Sequence, residues 1–282
     1  MAVGHKDTNR EVEPSSQAPG AFEAAEPNRG TTVGLTNERV SSYFANPKNY
    51  LDIRRYVIEI RAETVREFTA NRKFSRILDI GCGDGSISIP LLTETNRLTL
   101  LDISSAMLAR ALSRVSPEHL KNVDTVNQDF LDAPLDPGSY DLIICVGVLA
   151  HVESPELVIE KVSRLLQPGG LLMLECTDSA NFSNQLTVMI GRVRGALARR
   201  GGYHTRLVTA ESVISMANRR GFKLLSLYRH NVALPLMGKF LSQRALQRFI
   251  RLIFGTAKWN RNAWLGKECI FAFERTRLDA PS

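Results

Sequence analysis

The residues best suited to chemistry are a glycine-rich turn and two acids that follow it along the chain. The turn, Leu78-Asp-Ile-Gly-Cys-Gly-Asp-Gly85, stands between a predicted strand and a predicted helix. Glycines let the backbone approach a ligand closely, and a helix start offers free N–H groups. Asp102, which ends the next strand, is placed to accept hydrogen bonds from ribose hydroxyls. Asp129 follows a third strand and could accept from an adenine amino group, with Phe130 packing on the ring. Together these signals predict a site for a nucleoside-containing cofactor. A helix cap or a turn would explain any one of them by itself, but it does not explain why all three occur in register.

Three further side chains are candidates for moving a proton. His151 follows the fourth predicted strand, at the carboxyl edge where ligands bind in parallel sheets, and histidine titrates near physiological pH. The alternative of a structural histidine that bonds a neighbouring loop stays open. Glu153 and Glu175 are weaker candidates, since Glu175 stands inside a strand.

The elements that position these residues alternate between strand and helix. Seven strands are predicted, at Arg76–Ile80, Arg97–Asp102, Val123–Val126, Tyr140–Val146, Leu171–Cys176, Phe222–Tyr228 and Cys269–Arg275. Helices are predicted near Ser86–Thr95, Ser105–Arg114, Pro155–Leu166, Leu186–Arg199 and Ala210–Arg220. This alternation indicates an α/β fold, with a mostly parallel sheet and helices on both faces.

At these motifs the chain resembles the class I S-adenosylmethionine-dependent methyltransferases, most of all the ubiquinone/menaquinone-biosynthesis type, over about Ser75 to Thr177. The resemblance implies a Rossmann-like seven-stranded sheet whose last strand is antiparallel, and S-adenosyl-L-methionine as the cofactor. It also implies contacts with the methionine end (Asp79, Gly81, Gly83), the ribose (Asp102), the adenosine (Ile103, Met107), the adenine (Asp129, Phe130) and the sulfonium (Val146). A dinucleotide-binding dehydrogenase fits less well, because its GxGxxG/A turn places the third glycine one position beyond Gly85.

Four regions are predicted along the chain: a disordered tail at 1–33, an N-terminal helical cap at 34–72, the cofactor-binding core at 73–177, and substrate-side insertions with the last strands at 178–282. In the resembled family the cap closes over the cofactor, so Tyr43 and Tyr50 are substrate-side candidates, as is His204 in the insertion. Simple packing is the alternative for the two tyrosines.

Composition and charge limit the kinds of ligand and partner that the protein is expected to bind. The chain has 282 residues and a net charge of +7, and its four cysteines stand singly, without CxxC motifs, which makes zinc sites and disulfides unexpected. No apolar run is long enough to span a membrane and no secretory leader is evident, so a cytoplasmic protein is expected. From Ser179 to Lys267 there are 16 Lys and Arg against one acid, Glu211, which predicts an anionic partner or substrate.

An amphipathic helix is predicted from Ser242 to Gly255, with Leu246 and Ile250 on its apolar face and Arg244, Arg248 and Arg251 opposite. With nearby tryptophans it matches an interfacial helix, so 236–264 is a candidate contact with an anionic membrane. The alternative is a lid helix packed on the domain. Nucleic acid is not expected, because the aromatic residues are not interleaved with the basic ones.

The sequence thus predicts methyl transfer to a small, amphipathic or anionic metabolite: lipid-linked, prenylated, glycosylated or polyketide-like. Two alternatives stay open, an RNA or protein methyltransferase and a non-catalytic adaptor at a membrane.

Overall fold

The computed structural model describes residues 47–182, 185, 208–232 and 242–276. The predicted tail at 1–33 and the predicted helix at 186–199 lie outside these residues. The strands are β1 (Arg76–Ile80), β2 (Arg97–Leu101), β3 (Val123–Val126), β4 (Tyr140–Cys145), β5 (Leu166–Thr177), β6 (Phe222–His230), β7 (Gly255–Thr256), β8 (Trp259–Asn260) and β9 (Glu268–Arg275). The α-helices are α1 (Pro47–Thr69), α2 (Ser105–Leu112), α3 (Pro155–Leu165), α4 (Ala210–Arg219) and α5 (Gln243–Phe254).

Seven strands form one sheet in the order β3-β2-β1-β4-β5-β9-β6. Strands β1 to β5 pair in parallel, and β9 runs antiparallel to both of its neighbours, β5 and β6. The predicted Rossmann-like sheet with an antiparallel last strand is confirmed. The carboxyl ends of β1, β2 and β4 therefore meet at one edge of the sheet.

Apolar side chains cover both faces of the sheet. On one face, Val158 of α3 and Val213 of α4 belong to the larger core cluster, while Val65 of α1 and Leu108 of α2 belong to a cluster on the other face. Local signals begin the helices: the Ser154 hydroxyl accepts from the backbone N–H of Leu157, and α4 begins with a capping box. Because both faces are covered, the central strands are almost continuously apolar.

The segment after the glycine-rich turn departs from prediction. The helix predicted at Ser86–Thr95 was wrong: the structure has a single 3-10 turn at Ile89–Leu91. Pro90 supplies no backbone N–H, and Asn96 ties the segment off by accepting from the Thr93 N–H (2.8 Å) and donating to the Leu91 carbonyl (2.9 Å). Side-chain hydrogen bonds thus replace the helical ones.

Helix α5 packs on α1, and its apolar face is buried against the domain. Its cap residues are those predicted, with the Ser242 hydroxyl accepting from the Ala245 N–H and Gly255 ending the helix. Three residues of the predicted apolar face, Leu246, Ile250 and Phe254, are buried. The prediction that Arg251 lies on the solvent side was wrong. Its side chain is 16% exposed and pairs with Glu63 of α1 at 2.8 Å. This ion pair, which we call the α1–α5 clamp, turns the guanidinium group toward α1.

Two further observations concern the described residues. The four cysteines are buried and free, and Cys176 lies opposite Cys269 in the β5–β9 pair. Within the described ranges, no helix has the length and apolar character to cross a membrane.

Candidate active site

A pocket lies where β1, β2 and β4 end. Nine of the residues predicted to bind a cofactor or act in catalysis line it: Gly81, Gly83, Asp102, Ile103, Met107, Asp129, Phe130, Val146 and His151. These residues come from four segments of the chain. The sheet therefore brings the predicted set together.

The glycine-rich turn forms one wall of the pocket. Gly81 has φ +65°, and a Cβ there would lie 2.5 Å from Val148 Cγ2. Gly83 has φ +54°, and a Cβ there would meet nothing within 4 Å. The first glycine is therefore required by close packing, whereas the second leaves backbone open to a ligand.

Asp102 stands beside this turn and is fixed by two backbone donors. Its Oδ2 accepts from the Gly83 N–H at 2.9 Å, and its Oδ1 accepts from the Ser104 N–H at 2.8 Å. Burial raises the pKa of Asp102, and these backbone N–H groups oppose the shift. A carboxylate has about four acceptor sites, so Asp102 keeps capacity for two hydroxyl donors.

The far end of the pocket is both acidic and aromatic. Asp129 Oδ1 accepts from the Leu131 N–H at 2.7 Å, which fixes the turn after β3. Phe130 is buried, and the Lys161 ammonium lies 5.1 Å from its ring centroid. Lys161 also donates to the Ala133 carbonyl at 2.6 Å, so the aromatic wall is held in place.

Asp79 is the predicted binding residue that does not line the pocket. It lies in β1 with 2% of its surface exposed, and its Oδ2 has no hydrogen-bond donor among the described residues. Burial raises the pKa of Asp79 to about 7, and the Asp102 and Asp84 carboxylates add to the shift. Its contact with the methionine end stays a prediction.

His151 ends a 3-10 turn, Leu149–His151, that follows β4. The turn is closed by a hydrogen bond from the His151 backbone N–H to the Val148 carbonyl, at 2.8 Å. Both His151 and Val146 line the pocket. The role of His151 as a base stays a prediction.

The structure adds an ion pair that sequence reasoning missed. Arg61 of α1 lines the pocket and pairs with Glu175 of β5 through two contacts, Nε to Oε1 at 2.8 Å and Nη2 to Oε2 at 2.7 Å. Burial raises the pKa of Glu175 to about 7, and Arg61 opposes the shift. His230 lies 3.9 Å from Glu175, and burial lowers its pKa well below the usual value, which keeps it neutral. A charged residue among the apolar positions of α1 was the available signal.

Of the three substrate-side candidates, only Tyr50 is among the residues that the structure describes. Tyr43 and His204 lie outside the described residues, and Tyr50 falls in the first turn of α1.

The region that forms this pocket is similar in sequence to a known protein family. Residues 78–172 match a family model described as a methyltransferase domain. The glycine-rich turn, Asp102 and Asp129 lie within the matched region. This stretch of the chain is therefore similar in sequence to methyltransferase domains.

Individual proteins are similar to this chain in sequence or in fold. The chain is 27% identical over 157 residues to a ubiquinone biosynthesis O-methyltransferase of Coxiella burnetii, covering 55% of this chain and 66% of that protein. The chain thus spans less than two thirds of the length of this curated relative. Magnesium protoporphyrin IX methyltransferase of Synechocystis, solved with bound SAH, has the same fold, with a TM-score of 0.59 and 17% identity over 86% of this chain and all of that one. A Thermotoga maritima structure titled a possible histamine N-methyltransferase gives a TM-score of 0.58 and 16% identity over 86% and 99%.

Proposed function

We propose that this protein transfers a methyl group from S-adenosylmethionine to a small-molecule acceptor. The observation that carries the proposal is the convergence of an open glycine turn, a backbone-fixed Asp102 and the Asp129–Phe130 wall on one pocket. When bound there, the cofactor supplies a methyl group on a positively charged sulfur.

The charges of the pocket suit this cofactor. Asp102, Asp129 and the neighbouring Asp84 are acids, whereas Arg61 is the single Lys or Arg among the described lining residues. S-adenosylmethionine carries a cationic sulfonium and amino group and one carboxylate. We therefore assign the carboxylate to Arg61, which Glu175 holds through two contacts.

The residues of this chain would act mainly by alignment. Methyl transfer is an in-line displacement, and holding the reactants in position is worth about 7–11 kcal/mol in favourable cases. Val146 and Gly147 line the pocket where β4 ends, and His151 stands next to them. For an acceptor that arrives as a protonated hydroxyl, we assign proton removal to the His151 imidazole.

The acceptor class is the finer part of the proposal. A curated relative is named for ubiquinone biosynthesis and for O-methylation, which supports an oxygen atom of an amphipathic, lipid-like metabolite. The basic stretch from Ser179 to Lys267 supports an anionic group on it.

Contact with an anionic membrane is a second part of the proposal. Because the apolar face of α5 is buried, we assign the contact to exposed apolar side chains nearby. Leu252, Trp259 and Trp264 are 72%, 76% and 67% exposed. Phe182 is 62% exposed, and its neighbour Asn181 donates a hydrogen bond to the Trp264 carbonyl at 2.9 Å. No acid occurs between Ser242 and Lys267. Exposed tryptophan among basic residues is typical of surfaces that lie in the membrane interface.

Vesicle sedimentation tests the membrane contact. The double variant Trp259→Ser, Trp264→Ser should lose sedimentation with anionic vesicles. Leu157→Ser with Leu225→Ser, which replaces two exposed leucines elsewhere, should keep it. Equal sedimentation of the two double variants would refute the contact.

Calorimetric binding of S-adenosylhomocysteine tests the cofactor assignment. Asp102→Ala should weaken binding at least 30-fold, because charged hydrogen bonds contribute about 1.5–3 kcal/mol each. Asp141→Ala is the matched control. Asp141 also accepts from two backbone N–H groups, those of Ser75 (2.6 Å) and Arg76 (3.0 Å), but it lies at the start of β4, away from the pocket. Equal affinities in the two variants would show that the pocket is wrongly assigned.

Isotope-labelled methyl transfer into cell extracts tests the acceptor class. Label in the organic-solvent fraction supports a lipid-like metabolite. Label confined to RNA or protein would overturn the small-molecule proposal, and no label in any fraction would favour the non-catalytic adaptor.

A further inference from the structure

A groove rich in arginine adjoins the cofactor pocket. It lies between α1, the loop after β1 and the end of α2, and its walls include Arg55, Arg66, Arg110 and Arg114. It shares three wall residues with the cofactor pocket, which are Ile58, Asp84 and Ser86. A ligand in the groove can therefore extend toward the cofactor.

Two of the arginines belong to α1, one belongs to α2, and Arg114 lies in the turn that follows α2. Arg55 and Arg66 stand eleven residues apart on α1, three turns along one face, and Arg110 and Arg114 stand four apart. All four arginines therefore contribute positive charge to the walls of one groove.

Two acids compensate only half of this charge. Arg55 Nε lies 3.2 Å from Glu59 Oε1, and Arg114 pairs with Asp84 while donating to the Ser86 hydroxyl at 2.9 Å. Arg66 and Arg110 have no ion pair or hydrogen bond from their side chains to any other described residue. The groove therefore carries two positive charges that pair with no described acid.

We infer that this groove binds a phosphate group of the acceptor, an inference that rests on the proposed methyl transfer. Guanidinium groups bind phosphate through paired hydrogen bonds, and two of them match the double negative charge of a phosphate monoester. Asp84 lines both the groove and the cofactor pocket, and it pairs with Arg114. The apolar side chain of Ile58 lines the path between groove and pocket, which suits an acceptor with an apolar part next to its phosphate.

Calorimetry with phenyl phosphate, inorganic phosphate and benzoate tests the inference, at low ionic strength because the arginines are exposed. Phenyl phosphate should bind more tightly than the other two. Equal affinity for inorganic phosphate would assign the groove to free phosphate and overturn its assignment to the acceptor. Tighter benzoate binding would overturn the choice of phosphate.

The double variant Arg66→Gln, Arg110→Gln should weaken phenyl phosphate binding at least tenfold. Arg219→Gln with Lys223→Gln makes the same change in net charge on α4 and β6, and it should leave binding within twofold. Equal weakening in the two variants would reduce the effect to overall charge and overturn the site.

S-adenosylhomocysteine affinity, measured on the same samples, separates this inference from the proposed function. It should stay within twofold in every variant. Loss of phosphate binding with intact cofactor binding supports the groove. Cofactor binding by a wild-type protein that ignores phenyl phosphate overturns the groove alone.

Discussion

Replacing Asp79 with asparagine should make the protein more stable at neutral and alkaline pH. The carboxyl group is 2% exposed, and its pKa is raised to about 7 from the ordinary 3.8, first by burial and then by the Asp102 and Asp84 carboxylates. A raised acid pKa means that the folded state holds the proton more tightly than the unfolded state. Stability is therefore greatest below the unfolded pKa, falls as pH rises through this window, and is level above about pH 7.

The size of the effect follows from the width of that window. At about 1.36 kcal/mol per unit, the shift corresponds to about 4 kcal/mol of destabilisation above pH 7. About 3 kcal/mol of this develops between pH 5 and pH 7. Asparagine is nearly isosteric and carries no charge, so Asp79→Asn removes the loss.

Urea unfolding at pH 5 and pH 8 measures the effect. The stability gain of Asp79→Asn over the wild type should be about 3 kcal/mol larger at pH 8 than at pH 5. Asp124→Asn, an exposed acid on β3, controls for loss of charge and should show no such growth. A gain that is the same at both pH values would refute the reasoning.

The same variant tests whether the Asp79 carboxylate contributes to cofactor binding. An ionised carboxylate close to the pocket favours a cationic ligand, so Asp79→Asn should bind S-adenosylmethionine more weakly while folding more stably. Stability gained at the expense of function is common at functional sites. Unchanged binding together with higher stability would exclude Asp79 from the cofactor site.

Two further predictions concern the positioning of the pocket. Gly81→Ala should destabilise the turn by about 1–3 kcal/mol and weaken S-adenosylhomocysteine binding, because its Cβ would meet Val148. Gly138→Ala has a similar φ of +62° but open space around it, so a larger calorimetric and unfolding effect at Gly81 isolates the clash. Arg251→Met should lower the stability by about 1–3 kcal/mol, because Glu63, which is 31% exposed and keeps a hydrogen bond from Gln247, loses its ion pair with α5. Thermal unfolding that matches wild type would show that the clamp is solvated.

The sheet and most of the pocket could be predicted because their signals are local. Alternating apolar strands and helices determine a doubly covered sheet, and the glycines with Asp102 mark the edge where ligands bind. The helix that was wrongly predicted at 86–95 also has a local explanation. The apolar pattern of this segment suits a helix, but Pro90 and Asn96 prevent one.

The parts that could not be predicted depend on long-range contacts. Arg61 and Glu175 are 114 residues apart, and no short-range pattern joins them. The role of α5 was ambiguous for a similar reason, because an amphipathic helix has the same pattern whether it faces protein or lipid. Glu63, which turns Arg251 inward, is 188 residues away from it.

The four buried thiols make the chain its own reporter of opening. Cys145, Cys176 and Cys269 lie within the sheet, so a thiol reagent can label them only when the strands separate, and the slow labelling rate measures global unfolding. Cys82 lies in the glycine turn at the pocket wall and should be labelled first, through local opening. Protection of Cys82 by S-adenosylhomocysteine would then give a titration of pocket occupancy on unmodified protein, without substrate and without a fluorescent tag.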